Sequence, residues 1–254
     1  LEQLRNASSL PYGLFAANST ARHTELLKVS AITVVSRLPA PDRPFIDISI
    51  PVSADTPEFP GDTPFSCGWT MKRSKNESVN LSEIRMSPHV GTHADAPLHI
   101  EDGWDGSETL PVAAFMGVAY VLNASYASLS LSLEWMQEQF AGEAPERLLL
   151  QTGRSVSSGK FPEEWPVLTT DAAQWLVKGG TRLVGTDAPS VDSRHSKTLE
   201  VHHELFIRGA NILENLALDG VTAGWYELFA APILLVGLDG APVRALLRKL
   251  QEHA

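Results

Sequence analysis

Cysteine is almost missing from this chain. The single thiol, Cys67, rules out a disulfide framework within the chain and any cysteine-rich zinc site. It sits in the alternating run FSCGWTM and reads as a strand residue rather than a nucleophile. No run of 18 apolar residues occurs, so the sequence offers no membrane span. No Gly-x-Ser-x-Gly elbow occurs either, which argues against a serine hydrolase of that kind. Positive charge is the minority: 20 Lys and Arg stand against 30 Asp and Glu, a formal charge of −10. That sign argues against a nucleic-acid partner, which calls for a basic face. What remains is ordinary for a globular protein: 43% hydrophobic and 20% charged residues in a chain of 254, enough for one sizeable domain.

Histidine is where the sequence departs from the ordinary. Three of its eight histidines fall within the eleven residues 89–99, in the stretch SPHVGTHADAPLHI. His89, His93, Asp95 and His99 all hold odd-numbered positions, so an extended backbone points them the same way. A helix would also pair His89 with His93, but Pro88, Gly91 and Pro97 interrupt the stretch. The expected form is a strand end running into a constrained loop. Imidazoles and a carboxylate together are a usual ligand set for zinc or a similar divalent ion. The alternative, ordinary solvated loop histidines, suits one lone histidine better than this cluster.

The chain in order predicts an N-terminal extension, residues 1–44, and a domain over residues 45–254. The extension carries five basic and three acidic side chains, +2, and leaves −12 for the rest. One short element is expected at residues 26–35, and PAPDRP reads as a linker. The composition of the extension faintly resembles an organelle transit peptide. Strands are predicted over residues 45–50, 65–71, 79–86, 118–123, 147–152, 182–184, 211–216 and 228–236. Helices are predicted over residues 110–116, 131–140, 170–177, 196–207 and 242–251. Residues 51–64, with four prolines and Gly61, form a rigid loop from which Phe59 projects. The expected helix at 196–207 carries His202 and His203, and the strand after Gly209 carries Glu214. His202 and Glu214 are too far apart for one helical face but can converge from adjacent elements. By itself the His202–His203 pair reads as a solvated helix surface.

These segments resemble a known family. HVGTHADAPLH is similar to the HxGTHxDxPxH pattern of the metal-dependent cyclase-like hydrolases. Within that family the chain looks most like the bacterial kynurenine formamidases, which hydrolyse N-formylkynurenine in tryptophan breakdown. DISIPVSADTPEFPGDTP, GTDAPSVD, KTLEVHHELFIRGANILENL and YELFAAPILLVGLDGAPVRALL carry that narrower likeness. The resemblance implies a mixed α/β domain with the swivelling β/β/α cyclase-like fold, assembled as a homodimer or larger oligomer. It implies two divalent ions per chain, zinc first and manganese second, and no organic cofactor. His89, His93 and Asp95 would hold one ion. Asp95, His202 and Glu214 would hold the other, with Asp95 shared and His202 chosen as the first residue of the His-His pair. His99 would be the catalytic acid–base. The formamidases place tryptophan before the PGDT turn, lining the substrate pocket, where this chain has Phe59. The implied partner is a small aryl formamide, with no nucleic acid or membrane, in the cytoplasm unless the extension directs the chain to an organelle. Isatin hydrolases and other ring-opening amidases share the fold and the first motif. A silent metal-binding protein is the rival of another class, and His99, a histidine beyond the ligands, speaks against it.

The extension holds no ligand candidate except His23, and the linker separates it from the domain. A chain starting at Pro44 is expected to fold and turn over substrate. An insoluble or inactive truncation would show that residues 1–44 pack on the domain or complete the assembly.

Overall fold

The structure is a computed structural model that describes residues 44–75, 78–141 and 143–250. The expected element at 26–35, nearly all of the expected extension and the end of the expected last helix lie outside the described residues. In chain order the elements are β1 (Ile46–Asp47), β2 (Ser66–Met71), β3 (Leu81–Arg85), β4 (His93–Asp95) and β5 (Met116–Asn123). Next come β6 (Ser130–Leu131), α1 (Leu133–Phe140), β7 (Arg147–Gln151), β8 (Val167–Leu168), α2 (Thr170–Lys178) and β9 (Leu183–Thr186). The last are α3 (Glu200–Phe206), β10 (Asn211–Glu214), β11 (Gly224–Phe229), β12 (Gly240–Pro242) and β13 (Leu246–Lys249).

Nine strands form one mixed sheet in the order β1-β13-β11-β5-β7-β9-β10-β4-β12. Its centre, β5-β7-β9-β10, is parallel. The flanking pairs are antiparallel. A parallel centre must be covered on both faces, and its strands read as continuous apolar runs. RLLLQ in β7 is such a run. Leu148 and Leu150 face one core with Val184, Ile212 and the buried sides of α1, α2 and α3. Leu149 faces the other core with Leu183, Leu213, Leu228, Leu247 and Ile48, where the sheet curls back on itself. Strand alternation assigns the two faces, and each fully buried leucine contributes about 1.5–3 kcal/mol. The result is the mixed α/β domain that the resemblance implies. Among the described residues no helix is long and apolar enough to cross a membrane.

Helix ends follow local chemistry. Ser132 caps α1 by accepting from the Trp135 amide at 3.3 Å. Thr169 is the cap residue of α2, which stops at Gly179. β1 is shorter than the expected strand because the Asp47 carboxylate accepts from the Ser49 amide at 3.1 Å and turns the chain.

Four expectations at element level are corrected. The apolar run at 228–236 is not one long strand. β11 ends at Phe229, Pro232 keeps only an isolated bridge to Val243, and the chain then loops out with Ile233, Leu234 and Val236 exposed. Pro232, which lacks an N–H, and Gly237 with φ +74° break the ladder there. The expected helix at 242–251 is instead the end of β12 and all of β13, because pairing of Leu246 and Leu247 with β1 and β11 overrides helix propensity. The helix at 196–207 begins only at Glu200. Leu199 sits left-handed at φ +46°, and its amide donates to Ser196 Oγ at 3.0 Å, which holds the preceding turn. Residues 110–116 form a short 3-10 turn over Val112–Phe115 that leads directly into β5.

One buried carboxylate ties two parallel strands just beyond their ends. Asp187, fully buried after β9, accepts from the Thr152 amide at 2.8 Å, the Gly153 amide at 3.0 Å and the Thr152 hydroxyl. Burial pushes its pKa up to about 6, despite those hydrogen bonds, which pull it down. Asp187 is therefore more easily protonated folded than unfolded. Its contribution is complete below the ordinary value of 3.8 and is lost as pH rises through about 6. Urea titrations of the protein and of Asp187→Asn in the same metal state are expected to show this. The stability difference should move towards the variant by up to about 3 kcal/mol between pH 4 and pH 7. A pH-independent difference would show that Asp187 ionises normally.

Candidate metal centre

The site forms where β4 enters the sheet between β10 and β12. His93 pairs in register with Glu214, so the two side chains leave the same face side by side. Ala94 and Leu213, one position along, point into the opposite core. Asp95 shares the face of His93. The alternation expected for the histidine stretch therefore holds at His93 and Asp95 only. His89 lies in a preceding turn, in which Gly91 has φ +74° and a Cβ would meet Val52 Cγ2 at 2.6 Å. His99 ends a 3-10 turn, Pro97–His99. The turns bring these two imidazoles back over the strand. Ring centroids are 4.8 Å apart for His89 and His93, and 4.3 Å apart for His89 and His99.

Asp95, fully buried, is the hub. Its Oδ1 lies 2.9 Å from His89 Nδ1 and 3.2 Å from His93 Nε2, and its Oδ2 lies 3.2 Å from His202 Nε2. Glu214 completes the group, with Oε2 3.6 Å from His93 Nε2 and Oε1 3.6 Å from His202 Nε2. Three trios result, two that share Asp95, His89–His93–Asp95 and Asp95–His202–Glu214, and a more exposed third, His89–His99–Asp239, each with ligand atoms within 4.8 Å of one another. His202 is buried rather than solvated as the isolated His-His pair suggested, because α3 packs that side onto the sheet. His203 turns away and meets Trp104 edge-on. Phe59 reaches the same cleft and packs edge-to-face on Phe161 at 5.3 Å.

The donors show what these residues can hold. A carbonyl or carboxylate oxygen only accepts, so the ring nitrogen facing one carries the hydrogen. His93 Nδ1 donates to the Gly91 carbonyl at 2.8 Å. His202 Nδ1 donates to Asp192 at 2.7 Å, and His89 Nε2 donates to Asp239 at 2.9 Å. In the neutral rings the other three nitrogens present lone pairs to the Asp95 carboxylate. His93 Nε2 and Asp95 Oδ1 are accordingly buried with no hydrogen-bond partner. Each such orphan costs about 1–3 kcal/mol. A cation between lone pairs removes the conflict, so the residues fit a metal. Without one, protons do the same work. Burial lowers the His89 pKa, but Asp239 and Asp95 outweigh it and raise it to about 10. Burial likewise opposes protonation of His202, and Asp192 and Asp95 raise it to about 10. Burial pushes Asp95 up, but His93, His202 and His89 hold its carboxyl well below the usual range. Burial first, and the Asp95 charge next, hold Glu214 well above it.

Asp192, Asp239 and Phe161 were not singled out in the sequence. Asp192 also accepts from the Val201 and His202 amides, at 3.1 and 3.0 Å, and so clamps the start of α3. Its motif, GTDAPSVD, was visible but its target lay ten residues on. Asp239 sits in LDGAP, 150 residues from the histidine it touches.

A family model described as putative cyclase matches residues 46–193. The chain belongs to this cyclase family. It is 42% identical to a kynurenine formamidase of Bordetella avium over 204 residues, 80% of this chain and 97% of the relative. It is also 42% identical to a kynurenine formamidase of Bacillus cytotoxicus over 206 residues, 81% of this chain and 98% of the relative. A structure of a predicted metal-dependent hydrolase from Bacillus stearothermophilus superposes with a TM-score of 0.70 at 28% identity, over 82% of this chain and 99% of that one. Isatin hydrolase A from Labrenzia aggregata superposes equally, at 0.70, over 82% of this chain and 94% of that one. At 24% identity that likeness speaks for the cyclase fold alone. Metal-dependent neighbours and the donor sets agree that this cyclase-family chain binds metal.

Metal that binds the folded chain alone stabilises it by RT ln(1 + [L]/Kd), about 2.7 kcal/mol at a hundredfold excess over Kd. Chelator-stripped protein is expected to melt lower and to recover with zinc or manganese. In Glu214→Gln the recovery should need more metal. Identical melting with and without chelator, on protein shown by elemental analysis to be free of metal afterwards, would refute metal binding.

Proposed function

We propose that this chain is a metal-dependent amide hydrolase that converts N-formylkynurenine and water to kynurenine and formate. The observation that carries the reading is the pair of ligand trios sharing Asp95 at the base of an aromatic-walled cleft. The formamidase relatives, at 42% identity, supply the substrate class. The proposed cofactors are two divalent ions, zinc in preference to manganese. His89, His93 and Asp95 would hold one, and Asp95, His202 and Glu214 the other. When bound, such ions supply Lewis acidity, which lowers the pKa of water towards about 7 and polarises a carbonyl oxygen.

The protein's own groups do the rest. His99 lines the cleft, with its side chain about a third exposed, beside His89 and His202. It takes a proton from the attacking water and passes it to the aniline nitrogen, which leaves poorly unless protonated. Water oxygen bonds to the formyl carbon, the C–N bond breaks, and formate and the arylamine are the products. The cleft, about 320 Å³ behind an open mouth, is large enough for an aryl amino acid. Phe59 and Phe161 offer an edge-to-face pair for the substrate ring. Phe161 supplies a second aromatic wall beside Phe59. Arg194, paired with Glu163 at 2.6 Å and lying over Phe161, and exposed Lys197 stand at the same cleft. They suit a substrate with a carboxylate, which N-formylkynurenine has and isatin lacks. A homodimer is the proposed assembly, supported by the exposed Ile233, Leu234 and Val236.

Two measurements test the reading. Specificity constants on both compounds should favour N-formylkynurenine, and a clear preference for isatin would overturn the formamidase assignment. His99→Ala should keep its metal and lose roughly 100-fold or more in rate. Metal loss in that variant would make His99 a ligand instead.

A further inference from the structure

Asp239 stands between two histidines that the proposed reaction uses differently. Its Oδ2 is 2.9 Å from His89 Nε2 and 3.4 Å from His99 Nδ1. One carboxylate oxygen thus accepts from both rings. We propose that Asp239 is a positioning residue that fixes the tautomers of the ligand His89 and the proton carrier His99 together, a role that rests on the hydrolase reading above. With hydrogens on the two nitrogens that face Asp239, His89 keeps its Nδ1 lone pair towards Asp95, and His99 keeps Nε2 free to take and give a proton. A histidine side chain free in water prefers the hydrogen on Nε2, so His99, unlike His89, needs a partner to hold its hydrogen on Nδ1.

The backbone around Asp239 is built for that task. The Ala96 amide donates to the Asp239 carbonyl at 2.9 Å, and the Ser107 amide donates to the Leu238 carbonyl at 2.8 Å. Gly240 pairs across from Asp95. A Cβ on Gly240 would lie 2.9 Å from His89 Cε1 and 3.2 Å from His89 Nε2, so glycine leaves the seat that the ring occupies. Asp239 itself is 42% exposed at its side chain. Between this carboxylate and neutral rings the contact is a charge-assisted hydrogen bond, and what it contributes to the site is orientation. Carboxylates behind metal-ligating histidines act this way, and losing one typically costs 10–100-fold in metal affinity or activity.

The test uses the full-length, zinc-loaded protein with two substitutions. Asp239→Asn keeps an accepting oxygen and loses the charge, while Asp239→Ala loses both. Imidazole nitrogen NMR reads each tautomer, competition with a chromophoric chelator reads zinc affinity, and steady-state kinetics separate kcat from KM. In Asp239→Ala, His99 should shift towards the Nε2–H form, zinc affinity should fall about 10–100-fold, and kcat should fall about 10–100-fold with KM changed less. Asp239→Asn should restore the His99 tautomer and part of kcat. An unchanged His99 tautomer, or unchanged zinc affinity, in Asp239→Ala would overturn the proposal. If no aryl formamide is turned over but the tautomer and zinc affinity still change, the Asp239 proposal stands and the substrate reading alone fails.

Discussion

A carboxylate with no exposed surface, Asp95, sets the terms for the rest of this molecule. A buried charge survives only when opposite charge or hydrogen bonds surround it. Here three imidazoles meet it from three different parts of the chain: the turn before β4, β4 itself and α3. Each imidazole is braced from behind by a further acceptor, Asp239, the Gly91 carbonyl or Asp192. The hub therefore dictates a second layer, and that layer dictates which loops must approach. The register of β4 against β10 is part of the same constraint. A slip by one residue would drive His93 and Asp95 into the apolar core and bring Ala94 to the site.

The architecture serves this hub by giving the sheet two unlike faces. One is sealed by α1, α2 and α3, and the other by the sheet's own curl. The candidate metal residues lie on the α3 side of β4 and β10. There the short helix covers part of the face and the loop after β9 covers another, with Glu214 accepting from the Val191 amide at 2.7 Å. What neither covers is the cleft that holds Phe59, Phe161 and His99.

The parts of the site that were legible in the sequence were the local ones. His89, His93, Asp95 and His99 share one short segment, so residue type and spacing carried the signal. His202 and Glu214 were readable as a pair able to converge from adjacent elements, but only the family resemblance joined them to Asp95, since nothing local says that a helix and a strand will meet there. Asp239 and Phe161 gave no signal, because their roles come from partners far away in the chain. In the fold, the strand at β7 was readable from the run RLLLQ, while the parallel pairing with its neighbours was not. The C-terminal third was not: an exposed loop there carries the apolar residues Ile233, Leu234 and Val236, and the stretch around β13 places Val243, Leu246, Leu247 and Leu250 at helical spacing. In both places long-range pairing, not local preference, decides the structure.

The placement of β4 has a consequence for how the protein is made. Its sheet neighbours are β10 and β12, both more than a hundred residues further along. As the chain emerges during synthesis, the histidine segment therefore waits without its strand partners until most of the domain exists. The contacts that complete the centre are among the most non-local in the fold, and such contacts form late and slow folding. During that interval His89, His93 and Asp95 are already available to an ion, while His202, Glu214 and Asp239 are not. A metal captured then is held by half a site, and binding to the unfinished chain subtracts from the stability that the finished site gains. The order of assembly favours metal that arrives after the sheet has closed.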